Sequence, residues 1–145
     1  MSGAAELLDL AKWVEEAEAD SPELYEDAFR TAFPQPSRVL RGPGAQEYLE
    51  WLERLQRLCD FVEVKAFLDA AMALVPEGWR FEVTTTGFKP GASIVTDRGT
   101  FINGGGAYAA TPALALCAAA LRARAAIAAM QPREEQKVER EVGDG

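Results

Sequence analysis

The spacing of apolar positions changes twice along this chain, from helical to alternating and back. Leu7, Leu10, Ala11, Val14 and Ala17 recur at steps of three and four, which predicts a helix over residues 4–19. Ser21-Pro22 then restarts the chain, with Ser21 as N-cap, Pro22 at the first helical position, and Glu23, Glu26 and Asp27 in or near the first turn. The helix so opened carries Leu24, Tyr25, Ala28, Phe29, Ala32 and Phe33. Pro34, Pro36, Gly42, Pro43 and Gly44 punctuate a loop that cannot be helical. A third helix is predicted from Ala45 to about Phe61, with Tyr48, Trp51, Leu52, Leu55, Leu58, Cys59 and Val62 as its stripe. On its polar face Glu50–Arg54 and Glu53–Arg57 stand four apart in the favourable order. A fourth helix, residues 66–75, ends where Pro76 and Gly78 forbid continuation.

Beyond Gly78 the period drops to two. Trp79, Phe81, Val83 and Thr85 alternate with Arg80, Glu82, Thr84 and Thr86, the pattern of a strand with one buried face. Gly87 and Lys89-Pro90-Gly91 make a turn, Ala92 to Thr96 a second strand, Asp97-Arg98-Gly99 a tight turn, and Thr100 to Asn103 a third strand. Connections this short leave no room for a crossover helix, so the strands should form an antiparallel meander. Gly104-Gly105-Gly106 leads to Thr111-Pro112, the N-cap and first-turn pair of a last helix reaching about Met130. Its stripe is Leu114, Cys117, Leu121 and Ala125, with Ala113, Ala118 and Ala120 beside it. Such small side chains permit close approach, and the helix is expected to lie across the sheet with the 66–75 helix alongside. Pro132 opens a polar tail, 132–145, expected to be disordered. The organisation is therefore one α+β domain over 1–131: a helical lead-in (1–33), a loop and helix (36–61) and a sheet–helix core (66–131).

Composition narrows the function classes. A chain of 145 residues with 48% hydrophobic and 26% charged positions is an ordinary single globular domain. The most apolar stretch, Ala113 to Met130, is interrupted by Arg122 and Arg124, and no membrane span is expected. The acidic, amphipathic N-terminus lacks the basic region of a secretory signal, which points to the cytoplasm. Cys59 and Cys117 both fall in apolar helical patterns, as buried free thiols do in a reducing compartment.

The net charge of −8 is concentrated: residues 1–33 hold nine acids against two bases, while the remainder is close to balance. Direct nucleic-acid binding needs a basic footprint and is disfavoured. The absence of histidine removes the Ser-His-Asp and Cys-His arrangements and the usual imidazole base or metal ligand. Neither cysteine has a Cys-x-x-Cys partner. Glu15, Glu16, Glu18 and Asp20 do not match a calcium loop, and Gly104-Gly105-Gly106 lacks the Lys-Ser/Thr of a phosphate-binding loop. No catalytic, cofactor or metal residues emerge. The candidate partner-binding residues are the acids Glu15, Glu16, Glu18, Asp20, Glu23, Glu26 and Asp27, whose field would draw a basic surface.

The run from Leu68 to Ala125, LDAAMALVPEGWRFEV through ATPALALCAAALRARA, resembles the phage ABA-sandwich family of small bacteriophage and prophage proteins. Residues 5–32 also resemble the helical lead-in of those proteins, whereas the segment from about Pro36 to Asp60 departs from the short members and looks like an insertion. The resemblance implies a phage setting, a bacterial host cytoplasm and an α-β-α sandwich, and brings no catalytic residues. The leading expectation is a non-enzymatic protein that binds a host protein or nucleoprotein complex with a basic surface. Its sharpest form is an inhibitor of an antiviral defence complex, of the anti-CRISPR type, competing with nucleic acid. The alternative is a virion or replication accessory protein in which the domain is an oligomerising module. The stripe of the inserted helix is apolar enough to serve as core or as interface; if the short members fold without the segment, it is expected to be dispensable for folding.

Overall fold

The computed structural model describes residues 3–38, 41–63, 65–85, 89–96 and 106–143. Their order is α1 (Ala4–Glu16), α2 (Pro22–Ala32), α3 (Ala45–Glu63), α4 (Phe67–Met72), β1 (Arg80–Thr84), β2 (Gly91–Val95), β3 (Ala107–Tyr108) and α5 (Pro112–Gly143). The α+β class, with helices preceding a three-stranded antiparallel sheet, is the one the sequence implies. The strands run β1-β2-β3 as a meander. The third strand expected at Thr100–Asn103 lies outside the described residues. So do the turn residues Gly87, Asp97, Arg98 and Gly99 and the glycines Gly104 and Gly105. The strand that pairs with β2 is Ala107–Tyr108, through Gly91 opposite Tyr108 and Ala92 opposite Ala107.

Local signals explain the boundaries. Ser21 caps α2 by accepting a hydrogen bond from the Leu24 amide at 3.3 Å. Thr111 caps α5 in the same way, accepting from the Leu114 amide at 3.1 Å. The helix α3 ends in a paired set of backbone bonds, Ala66 N–H to Phe61 carbonyl at 2.7 Å and Lys65 N–H to Val62 carbonyl at 3.0 Å. This Schellman arrangement needs a left-handed residue, and Lys65 supplies it at φ 60°. The turn into β1 closes between the Trp79 amide and the Pro76 carbonyl at 3.1 Å, with Gly78 at φ 83°.

The layer order differs from a sandwich with its sheet in the middle. Among the described residues α5 is the helix that packs closely on all three strands, while α1, α2 and α4 pack on α5 from elsewhere. The central layer is thus a helix. Its sequence allows this because it is apolar all round: Leu116 lies roughly 160° around the helix from Leu114 at 100° per residue, and both are fully buried. The stripe read from the sequence missed Leu116 for that reason. Ala113, Ala115, Ala118, Ala119, Ala120 and Ala123 are buried too, and their small side chains let α1 approach along Leu7, Ala11 and Val14. On the sheet, the pairs Phe81–Ile94, Val83–Ala92 and Ala92–Ala107 form the face toward α5. Arg80, Glu82 and Thr84 on the opposite face are exposed.

Two further expectations are corrected. The backbone of α5 continues through Pro132 to Gly143, where the pattern pointed to an end near Met130 and a disordered tail. A proline removes one backbone donor and disturbs a single turn, and the Arg, Glu, Gln and Lys residues that follow it are good helix formers. The helix α3, expected to be dispensable if the short members fold without it and otherwise open to either a core or an interface role, buries Tyr48, Trp51, Leu58 and Val62. The Trp51 indole N–H donates to the Phe33 carbonyl at 2.8 Å, and its ring tilts against Phe29 with centroids 6.2 Å apart. This face of α3 is core. The expected pairs Glu50–Arg54 and Glu53–Arg57 do not form; Gln46 donates to Glu50 at 3.1 Å instead, and Arg54 turns over the Phe33 ring.

The window Pro112–Ala129 is long and apolar enough to cross a membrane by composition, although the sequence reading expected no such span. In this fold most of it is enclosed by α1, α4 and the sheet, as the central helix of a globular core is.

Candidate functional site

The seven acids singled out in the sequence fall into two groups. Three are tied into the structure. Glu15 forms a two-pronged ion pair with Arg122, one arm at 3.0 Å, and Arg122 also donates to the Gly106 carbonyl at 2.8 Å. This fastens α1 and the chain ahead of β3 to the middle of α5. Asp20, at the joint between α1 and α2, accepts from the Tyr25 hydroxyl at 2.5 Å and from the Thr111 hydroxyl at 2.9 Å. Burial, followed by the bond to Asp20, raises the Tyr25 hydroxyl far above its ordinary value, so it remains a donor. Glu26 faces the Cys59 sulfur at 4.0 Å.

The other four, Glu16, Glu18, Glu23 and Asp27, are exposed. Glu6 and Asp9 add to them on the outer side of α1, against exposed Lys12 and Arg30. The outward face of α1 and α2 is therefore acidic even after the structural carboxylates are set aside.

Sequence reasoning missed an exposed aromatic on the outer side of α1. Trp13 is 50% exposed. Asp9 stands four residues before it and Glu16 three after, one helical turn on either side. A tryptophan off the Leu7–Leu10–Ala11–Val14 stripe was a legible signal, since it is the costliest side chain to leave in water without a partner.

A second feature went unread because its parts are far apart in sequence. Phe29, Phe33, Arg54, Arg57, Ala73, Val75, Glu77 and Arg124 line a cavity of about 280 Å³ between α2, α3, the end of α4 and α5. The guanidiniums of Arg124 and Arg54 lie over the Phe33 ring, 4.2 and 5.4 Å from its centroid. Arg124 donates through Nε to the Leu74 carbonyl at 2.5 Å. Burial first, and the neighbouring Arg54 charge second, push its guanidinium down to about 10, which leaves it charged at neutral pH.

Burial raises both thiols, in Cys59 with a further push from the Glu26 carboxylate, so neither is poised as a thiolate nucleophile. Among the described residues no three His, Cys, Asp or Glu side chains gather as a metal-binding group. No family model, curated protein or solved structure matches the chain.

Proposed function

We propose that this protein acts without chemistry of its own, by docking the outward face of α1 and α2 on a basic surface of another protein. The observation that carries this reading is Trp13, half exposed on α1 one helical turn from the exposed acids Asp9 and Glu16, with Glu18, Glu23 and Asp27 also exposed further along the acidic lead-in. An aromatic anchor flanked by like charges has the composition of an interface: the ring supplies apolar area, and the acids supply steering and register. In the phage setting that the resemblance of residues 68–125 implies, the sharpest form of the proposal is an inhibitor of a bacterial antiviral defence complex. The acidic face would occupy a basic channel otherwise filled by nucleic acid.

The test separates the exposed carboxylates from the structural ones. Replacing Glu16, Glu18, Glu23 and Asp27 by Lys leaves the Glu15–Arg122 and Asp20–Thr111 ties in place, so the melting temperature should hold within a few degrees. Tagged protein recovered from an infected or lysogenic host should then lose its salt-sensitive partner, and Trp13→Ala should lose it as well. A partner retained by both variants would show that this face is not the contact.

A second reading, the oligomerising virion or replication module, is favoured by Leu49, Leu52, Leu68 and Met72. These stand 37–48% exposed on α3 and α4. A salt-insensitive multimer in solution, dispersed by Leu68→Lys and Met72→Lys, would support it over the first.

A further inference from the structure

Among its lining residues the arginine cavity holds more positive than negative charge. Arg54, Arg57 and Arg124 converge on it and Glu77 is the acid among its lining residues, giving three cations against one anion. The ion pair among the described residues is Arg122–Glu15, so none of these three guanidiniums has a carboxylate within bonding distance. Two of them lie over one ring, Phe33, and the Arg54 charge is felt at Arg124 as repulsion. Arg124 is the more deeply placed, and a partly buried charge without a counter-ion is costly unless something supplies one.

We infer that this cavity is a binding site for the phosphate group of a small phosphorylated molecule. The excess of about two positive charges matches a phosphate monoester, which carries about −1.5 to −2 at neutral pH. Arginine forks suit its oxygens better than ammonium groups would. The Arg124 Nε bond to the Leu74 carbonyl fixes the plane of the guanidinium and leaves its two terminal nitrogens for a ligand. Phe33 holds Arg54 and Arg124 in place before any ligand arrives, which lowers the ordering cost of binding. Ala73 and Val75 offer an apolar wall for a short carbon body. At about 280 Å³ the cavity is smaller than drug-sized pockets, which begin at ~300 Å³, and takes a small ligand rather than a polymer. The site lies apart from the acidic face and does not rest on the partner-binding proposal.

Thermal unfolding and titration calorimetry with inorganic phosphate and with phenyl phosphate, at ionic strength matched by sodium chloride, test this. Both phosphates should raise the melting temperature above the chloride control. Phenyl phosphate should bind at least tenfold more tightly, because its ring meets the apolar wall; equal affinities would assign the site to free phosphate instead and overturn the monoester. Arg54→Gln and Arg57→Gln alter exposed side chains and should leave the ligand-free protein folded while weakening phosphate binding about tenfold each. Arg124→Gln should abolish it. Stabilisation no greater than that by chloride, or stabilisation that survives the Arg54→Gln, Arg57→Gln double variant, would overturn the site.

Discussion

The side chains of Asp20 and Thr111 meet at 2.9 Å across 91 residues of sequence. One hydroxyl does two things there: it donates to the carboxylate and accepts from the Leu114 amide, so the cap of α5 is itself held by the joint between α1 and α2. The carboxylate also sits at the start of α2, where the helix dipole favours a negative charge.

Removing that carboxylate should therefore be felt at both ends. Asp20→Ala deletes two charge-assisted hydrogen bonds and leaves the Tyr25 hydroxyl without its acceptor, a loss of roughly 2–4 kcal/mol at ~1.5–3 per bond to a charged group, less the solvent that reaches Asp20. Thr111→Val should cost about 1–2 kcal/mol as a lost cap. The double variant should lose less than the two together, because both delete the Asp20–Thr111 bond. Strict additivity in urea unfolding would show that the two residues are not coupled.

Trp51 decides whether α3 belongs to the core. With its indole bonded to the Phe33 carbonyl and its ring against Phe29 and Tyr48, Trp51→Ala should destabilise by about 3–5 kcal/mol. Deleting Ser37 to Arg57 with a Gly-Ser bridge should abolish cooperative thermal unfolding, since Leu58 and Val62 would lose the helix that presents them. A sharp transition in the deletion variant would restore the view of this segment as an accessory.

What the sequence carried was local. Ser21-Pro22, Thr111-Pro112 and the Pro76-Glu77-Gly78 turn are each read from adjacent residues, and each sits where its chemistry requires. The seven acids were visible as charge, but Arg122, the partner of Glu15, lies 107 residues away and Thr111, one of the two partners of Asp20, 91 away, and no spacing rule connects them. The arginine cavity was hidden in the same way, because Arg54 and Arg57 occupy a face that read as solvated while Arg124 interrupts an alanine run. The central place of α5 was half legible: its alanines promised close approach, but a search for one stripe overlooked Leu116 on the other side.

Lys65 holds a left-handed conformation at the end of α3, which an L-residue adopts at a cost and glycine adopts freely. The side chain is exposed. Lys65→Gly should therefore stabilise the protein by about 0.5–1 kcal/mol, the relief of strain offset by glycine's greater freedom in the unfolded chain. Lys65→Val should destabilise it, because a β-branched residue resists positive φ. Chemical denaturation midpoints in that order, Gly above Lys above Val, are the expected result; Gly below Lys would mean that the side chain contributes something the backbone argument omits.

The two thiols should separate cleanly by reactivity. Cys117 is fully buried in the central helix and its thiol is raised by that burial, so it should resist iodoacetamide until the protein unfolds. Cys59 is partly exposed, with its thiol raised by burial and then by the Glu26 carboxylate. A raised value means less thiolate at any given pH. Native protein at pH 8 should thus be labelled at one site, more slowly than a free thiol, and the rate should go on climbing above the ordinary thiol range of about 8.5 where a free thiol levels off. Glu26→Gln removes the nearby negative charge and should shift the rate profile toward lower pH without releasing Cys117. An unchanged profile in that variant would leave burial, with the Asp60 carboxylate, as the cause. Labelling of both cysteines in the native state would show that α5 is not enclosed as the fold requires.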